Sequence, residues 1–484
     1  MTGSASTTMG APVGAGVIRL VLLSWLLVGC SHAAERDEPD SEPQSREPTG
    51  DADAEAPAPP PPPPPPTAAD DAGTAPPDPP DPAPPPPPPT PVDPPPPPAP
   101  SGRVQTITER DEIVEQAAVA LASDGYVAAW RSVERDPGGD VVRVRFARLD
   151  RAGARIGDSV VLAERAVGAE LLEGPYLAER SLAWDGAQAG VAFTERNRVD
   201  LGERITTFVR VSRDGAILGA PHRVSRPFHR GVWLDASDGG FTLTVARDFD
   251  STLTRIASDG TLGAPATVAL DPAETVQAVA SSNGTELVLL VHRSTRNPDE
   301  LSWLHRVALD GTSVAAPVNL ALEAYRAGQS LVATTEGHAL LWHGATEDDP
   351  RRVDVRLARV HARDVVTVEE PAVVARSTAW YRTVHTVSGS GRGVANVAWM
   401  SSADGGYTGT PMFRRVYPDG SATEPCALQD VPATPDFDVF ALAVACDPTG
   451  IACVAVWGEP ADGASGERPI VSLRARVIAS SACR

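Results

Sequence analysis

The chain has 484 residues, a net charge of −21 and no lysine, so arginine supplies every strongly basic side chain. This acidic balance argues against nucleic acids and anionic membrane surfaces as partners. More than half of the net charge comes from residues 31–100, which are also rich in proline. The remainder is long enough for a large domain of ordinary charge.

The first 29 residues have the pattern of a secretory signal. The apolar run at 20–29 is about half as long as the roughly 20 residues that span a bilayer. The last three residues of this run and the cysteine that follows, Leu27-Val28-Gly29-Cys30, resemble a bacterial lipobox. That resemblance implies cleavage before Cys30 and a diacylglycerol anchor on its thiol. Ser31 at the next position implies, by the same resemblance, an outer-membrane lipoprotein with its domain in the periplasm or at the cell surface.

Residues 30–102 form an acidic linker dominated by proline, including the unbroken runs 59–66 and 84–89. Such a composition cannot bury a core, and its proline favours extended polyproline II conformation. We therefore expect a disordered stalk that holds the following domain away from the membrane.

The domain 103–484 consists of a repeated unit of about 54 residues. Each unit contains four short apolar runs separated by turn residues, which predicts a meander of four antiparallel strands, A to D. The turn between strands C and D recurs in similar phrases at 210–221, 255–265, 306–317 and 414–425. All four of these turns contain Asp-Gly, which supplies the positive φ angles of a tight hairpin.

These repeats predict an all-β fold, a seven-bladed β-propeller of four-stranded antiparallel blades. A lone four-stranded sheet exposes both faces, so the repeats must pack against one another around an axis. Tandem immunoglobulin-like domains would need about 100 residues each, which excludes them. The domain resembles a propeller in architecture, but it carries no WD dipeptide or kelch signature of a named family.

Residues 103–110 are predicted to close the ring. The last unit ends after its third strand, and 103–110 form an alternating strand with no unit of their own. As the outer strand of the last blade, this segment would cover an open edge. The A–B and C–D turns then define one side of the ring, the turn face, where the linker enters. The longer connections define the opposite side, the loop face, at 132–140, 194–204, 292–301, 343–352, 401–411 and 458–469.

Apart from Cys30, the chain has four cysteines, an even number that suggests two disulfides in an exported domain. Cys446 and Cys453 flank one A–B turn symmetrically, which predicts that they pair. Cys426 and Cys483 both lie toward the rim of the turn face, which predicts the second bond. A zinc site is the alternative, although no CxxC spacing occurs. We predict no metal site and no cofactor.

The candidate ligand-binding residues lie near the axis on the loop face, where strand A is preceded by an aromatic residue and an arginine. An arginine fork matches carboxylate or phosphate, and an aromatic face stacks on sugars, so these pairs suit an anionic glycan or an acidic peptide. The alternative is that the rings pack between blades and the arginines pair with loop acids. The residues are Tyr176 with Arg180, Phe228 with Arg230, Tyr325 with Arg326, and Tyr381 with Arg382.

Other aromatic and histidine residues have weaker patterns. Four tryptophans recur at the end of strand B, which favours packing between blades over a ligand-stacking ring; they are Trp130, Trp342, Trp399 and Trp457. His338 and His343 bracket one strand, and we expect both at the surface.

No G-x-S-x-G, H-E-x-x-H or P-loop motif occurs in the sequence, so no catalytic residue is predicted. The leading prediction is therefore a non-catalytic binding scaffold for an envelope glycan or protein, attached to the membrane through its lipid. A glycan-acting hydrolase or lyase with its site at the channel mouth is one alternative, because loops can assemble such a site without a linear motif. A structural spacer with no ligand is another. The sequence leaves the oligomeric state open.

Overall fold

The structure is a computed structural model. It describes residues 102–109, 112–136, 138–167, 172–178, 180–197, 203–227, 231–237, 239–247, 250–271, 274–281, 286–293, 302–320, 329–335, 337–345, 352–362, 366–379, 385–389, 391–401, 410–429, 441–460, 471–479 and 483. The signal peptide and linker predicted for residues 1–102 lie almost entirely outside these residues.

Within the described ranges every regular element is a β-strand. Successive side chains of a strand point to opposite faces, and the sequence follows that period. In the stretch from Val471 to Ile478, for example, the apolar residues Val471, Leu473, Ala475 and Val477 are buried while the intervening residues are half-buried.

The strands are numbered in chain order. The first fifteen are β1 (Gln105–Thr106), β2 (Glu112–Ala122), β3 (Gly125–Asp136), β4 (Gly139–Leu149), β5 (Arg155–Ala166), β6 (Leu172–Tyr176), β7 (Leu182–Trp184), β8 (Gln188–Asn197), β9 (Glu203–Ser212), β10 (His222–Pro227), β11 (Gly231–Ser237), β12 (Gly240–Ala246), β13 (Asp250–Ala257), β14 (Ala266–Ala269) and β15 (Glu274–Ser281). The others are β16 (Glu286–Arg293), β17 (Ser302–Ala308), β18 (Val318–Asn319), β19 (Ser330–Thr334), β20 (Gly337–Ala345), β21 (Arg352–Ala362), β22 (Val366–Val368), β23 (Ala372–Ala379), β24 (His385–Gly389), β25 (Ala395–Ser401), β26 (Thr410–Val416), β27 (Cys426–Ala427), β28 (Leu442–Cys446), β29 (Cys453–Pro460) and β30 (Val471–Ile478).

Five sheets form separate antiparallel blades of four or five strands, made of β6–β10, β11–β14, β15–β18, β19–β23 and β24–β27. The remaining strands form one eight-stranded sheet, in the order β28-β29-β30-β2-β3-β4-β5 with β1 beside β30. The all-β prediction and the four-stranded antiparallel blade are confirmed. The structure separates five blades rather than the predicted seven. The strands predicted for the first and last blades form one sheet instead, because β2 and β30 share a parallel pair, Ile113 with Val471.

The sheets surround a common axis, as in a β-propeller. The innermost strands contact one another in a closed cycle: β2, β7, β11, β15, β19, β24, β28 and again β2. The hydrophobic core is divided into clusters between neighbouring sheets. Between the blades β6–β10 and β11–β14, for example, the rings of Phe208 and Phe241 lie 5.5 Å apart, centroid to centroid.

Residues 102–109 pair with the last strand. β1 runs antiparallel to β30, with Gln105 opposite Ala475, and the backbone N–H of Ile107 donates to the carbonyl of Leu473 at 2.8 Å. Ile107 is fully buried, and the Thr108 hydroxyl accepts from the backbone N–H of Leu473 at 3.1 Å. This short segment is therefore integrated into the core of the eight-stranded sheet.

Several strand-C arginines donate to carbonyl groups of a neighbouring sheet, and we call three of them, Arg210, Arg359 and Arg415, the clamp arginines. Arg210 donates to the carbonyl of Ser258 in the next blade, and Arg359 donates to the carbonyls of Gly393 and Val416. Arg415 is almost fully buried and donates to Ala479 and Ile451 at 3.0 Å and to Ile478 at 3.2 Å. Each guanidinium thus satisfies carbonyl groups of the adjacent sheet.

Two of the recurring phrases, at 210–221 and 414–425, combine a clamp arginine with a C–D turn. Gly215 and Gly260 have φ angles of +91° and +92°, which L-residues with a side chain rarely adopt. The Asp259 carboxylate accepts from the backbone N–H of Thr261 at 2.8 Å and so fixes the turn. The phrase therefore ends strand C, reverses the chain and positions the arginine.

The prediction of disulfide-bonded cysteines is confirmed. Cys446 pairs with Cys453 across the A–B turn between β28 and β29, with Cα atoms 4.0 Å apart. Cys426 pairs with Cys483 at a Cα distance of 5.2 Å. Val104 packs against the same apolar cluster as Cys426 and Cys483, so the chain enters the domain beside this second bond.

Candidate functional site

The innermost strands enclose a cavity of about 260 Å³ on the axis. Its walls come from β2, β7, β11, β19, β24 and β28, and most of the lining residues are alanine, valine or leucine. On β2, β11 and β28 these residues lie in the half of the strand that leads into the A–B turn. The cavity therefore lies toward the turn face, not at the loop face where the sequence placed the candidate site.

Arg180 crosses the channel just before β7. Its guanidinium donates to Oδ1 of Asp235 at 2.6 Å, to the carbonyl oxygen of Val279 at 2.7 Å and to that of Leu331. An innermost strand has one edge without a neighbouring strand, so its carbonyl groups need other donors. Arginine has five N–H donors in a planar fork. One side chain therefore joins the inner strands of three blades.

Asp235 is the charged partner of Arg180 and is only 7% exposed. Burial raises the pKa of the Asp235 carboxyl above its ordinary value, and the positive charge of Arg180 only partly offsets that shift. The pair removes two opposite charges from solvent together, which costs less than burying either alone. Sequence reasoning did not find Asp235, because its partner comes from a different blade and no linear motif links them.

His338 is buried behind the channel on β20, and so is His343 on the same strand, which corrects the expectation that both lie at the surface. Burial lowers the pKa of His338 to about 4, and the charges of Arg180 and Arg306 act in the same direction. Burial alone lowers the pKa of His343 to about 4. Both rings are therefore neutral in the folded protein at neutral pH.

Acid should destabilise the domain through these histidines. In the unfolded chain the His338 ring binds a proton near pH 6.5, but in the folded chain only near pH 4. The free energy of unfolding therefore keeps its full value above pH 6.5 and falls as the pH drops below it. His338 alone should contribute a loss of about 2 kcal/mol between pH 7 and pH 5. We expect His338→Leu to reduce the pH-dependent loss by that amount, measured by urea unfolding at both pH values. An unchanged pH dependence would contradict this assignment.

Two of the predicted ligand-binding residues fall within the described ranges. The guanidinium of Arg131 lies over the Tyr176 ring, with 5.1 Å between its Cζ atom and the ring centroid. Arg131 also forms an ion pair with Glu115. Arg180 instead contacts Asp235 in the channel, so the two residues have different partners. The other predicted residues, Phe228, Arg230, Tyr325, Arg326, Tyr381 and Arg382, lie outside the described residues.

The strand-B tryptophans are part of the core. Trp130, Trp342, Trp399 and Trp457 are each at most 3% exposed. The indole N–H of Trp130 donates to the Glu112 carboxylate at 2.8 Å. Trp342, Trp399 and Trp457 each belong to an apolar cluster that includes residues of a neighbouring sheet, which agrees with packing between blades.

Glu112 and Glu134 form a carboxyl pair around Arg145 in the first four strands of the domain. Oε1 of Glu112 lies 3.6 Å from Nε of Arg145, and Oε1 of Glu134 lies 2.7 Å from the same atom. Burial raises the pKa of Glu112. For Glu134, burial acts in the same direction, but hydrogen bonds and charges of Arg145 and Arg143 outweigh it and lower the pKa. Neither carboxyl lines the axial cavity.

Within the described ranges, no group of three or more His, Cys, Asp or Glu side chains is arranged to hold a metal ion. The same ranges contain no helix that is long and apolar enough to span a membrane.

No protein-family model matches the chain, and no curated protein matches it. Among solved structures, the WD40 domain of SCAP from fission yeast has a TM-score of 0.41 and 9% identity, over 78% of this chain and 98% of that chain. The Dos1 propeller has a TM-score of 0.38 and 10% identity, over 77% of this chain and 95% of that chain. The Penicillium chrysogenum alpha-L-arabinanase complexed with arabinobiose has a TM-score of 0.36 and 11% identity, over 77% of this chain and 94% of that chain. Similarities of this size carry no argument about activity or ligand.

Proposed function

We propose that the protein is an outer-membrane lipoprotein whose propeller acts as a non-catalytic binding scaffold. The lipobox at Leu27–Cys30 supports the anchor, and the acidic Pro-rich segment up to residue 102 supports a stalk. Charge supports an envelope glycan or protein, and not nucleic acid, as the partner.

The ring has seven blades in this proposal. The eight-stranded sheet would comprise two of them, β2–β5 and β28–β30 with β1, linked through the single pair of Ile113 and Val471. Residues of the two halves pack face to face in one core cluster, which includes Tyr126 from β3 and Val456 from β29. The closed cycle of innermost strands supports the same count.

One observation carries the scaffold proposal: the chain enters the ring beside the Cys426–Cys483 bond, at the end of β30 that lies on the turn face. In this proposal the connections of the opposite, loop face meet the partner. Loops on a rigid scaffold are the usual location of binding residues. Capture of an envelope glycan or protein by the immobilised domain from extracts tests this proposal, and a domain that captures nothing would favour the structural spacer.

The anchor has its own test. Cys30→Ser removes the thiol that would carry the lipid, so we expect the protein to leave the membrane fraction and appear in the soluble envelope fraction. Ser31→Ala is a matched control that keeps the thiol and should remain in membranes. Retention of the Cys30→Ser protein in membranes would reject lipidation at this position.

A glycan-acting enzyme is the second candidate, and the pair of Glu112 and Glu134 is the observation in its favour. Two carboxyl groups whose pKa values are shifted in opposite directions are typical of acid–base catalysis. Glu112 is only 2% exposed, however, and it already accepts a hydrogen bond from Trp130. Release of reducing ends from envelope polysaccharide, lost in Glu134→Gln, would establish the enzyme in place of the scaffold.

A further inference from the structure

The axial cavity combines hydrogen-bond donors and an acceptor that have no protein partner. Arg180 uses three of its N–H donors, so its Nε–H and one Nη2 hydrogen find no acceptor among the described residues. The indole nitrogen of Trp184 and Oδ2 of Asp235 are buried and also have no hydrogen-bond partner there. All three residues line the cavity. Unsatisfied polar groups of this kind are uncommon in folded proteins and need an explanation.

The size of the cavity suits a small molecule. Its volume of about 260 Å³ far exceeds the ~15 Å³ that one water needs. It lies just below the roughly 300–1,000 Å³ of typical ligand pockets. Rigid strands form its walls, so the space is preformed.

Charge restricts the class of ligand. Among the described lining residues, the charged groups are Arg180 and Asp235, which already neutralise each other at 2.6 Å. A charged ligand would therefore bring a charge that neither group compensates, and burying an unpaired charge is costly. A neutral hydroxyl group avoids this cost, because it accepts from the Arg180 and Trp184 N–H groups and donates to Oδ2 of Asp235.

We propose that the axial cavity binds a neutral polyhydroxy molecule of about monosaccharide size, with Arg180, Asp235 and Trp184 as its polar contacts. This site is separate from the loop face, so it does not depend on the scaffold proposal. If the chain bound small sugars in the channel but captured no partner through its loops, the scaffold proposal would fail and this site would stand.

The test is titration of the full mature chain, purified in detergent, with glucose, galactose, mannose, arabinose, xylose and glycerol by saturation-transfer NMR. We expect saturable binding of at least one of these probes. For a sugar probe, the anionic and cationic relatives, such as glucuronate and glucosamine for glucose, should bind at least tenfold more weakly. Absence of saturable binding by all six probes would overturn the proposal and leave a channel filled by water only. Tighter binding of glucuronate than of glucose would also overturn it, because the site would then select anions.

Variants locate the binding. Ala236 is an exposed residue of β11 that lines the cavity, so Ala236→Phe should fill the space without disturbing the core and weaken binding at least tenfold. Ala257→Phe introduces the same ring at an exposed position that does not line the cavity, and it should bind as the wild type does. Arg180→Met should also lose binding if it folds. Unchanged binding by Ala236→Phe would place the ligand elsewhere and reject the site.

Discussion

Deletion of residues 103–110 is expected to destabilise the propeller by at least ~5 kcal/mol, enough to prevent stable folding. The deletion removes the fully buried Ile107 and leaves an open edge on β30. It also removes the acceptor of Arg155, which donates to the carbonyl of Ile107 at 2.9 Å. Thermal melting of a chain that begins at residue 111 measures the effect.

A point substitution separates the effect of losing the strand from the effect of losing the buried Ile107 side chain. Ile107→Ala keeps the backbone pairing with Leu473 and should cost about 3 kcal/mol through the cavity it leaves. Removing only residues up to 103 should cost little, because Arg103 is exposed. A melting temperature that is the same for chains beginning at 103 and 111 would show that this segment does not close the ring.

Arg415→Met should lower the free energy of unfolding by about 3 kcal/mol. The substitution keeps much of the side-chain volume but removes the donors to the carbonyls of Ala479, Ile451 and Ile478, at the edge of the neighbouring sheet. Buried carbonyls without a donor are costly. Urea unfolding of the domain at pH 7 is the measurement.

Arg255 offers a matched control for this clamp arginine. It stands four residues before Asp259 of its turn, as Arg415 stands four residues before Asp419, but it is exposed. Arg255→Met should therefore change stability by less than about 0.5 kcal/mol. Equal losses for Arg255→Met and Arg415→Met would mean that the contacts to the next sheet contribute no special stability.

Local patterns predicted the strands, the turns and the disulfide-bonded cysteines. The β-branched and apolar residues at alternate positions, as in β30, predict a strand because they suit a pleated surface with one buried face. Cys446 and Cys453 were predictable partners because they flank one hairpin turn, whose geometry places them opposite each other. These features depend on residues close in sequence.

Contacts between different blades could not be predicted from the sequence. Arg180 and Asp235 contact each other only because the ring brings their inner strands together. The number of residues between them in the sequence does not indicate this contact. His338 was expected at the surface because the strand was identified without the neighbouring blade that buries it. The clamp arginines were visible in the recurring phrase at Arg210 and Arg415, but the phrase alone does not show that their side chains reach the next sheet.

Binding of anionic envelope polysaccharide by the immobilised domain, residues 103–484, tests most directly whether the protein is a scaffold that acts through its loop face. Arg326→Ala combined with Arg382→Ala should lower the bound fraction and its dependence on salt, with little change in melting temperature. Arg151→Ala combined with Arg213→Ala makes the same charge change at two exposed residues of the turn face and should leave binding unchanged. If the turn-face pair loses binding while the loop-face pair keeps it, the scaffold does not act through its loop face.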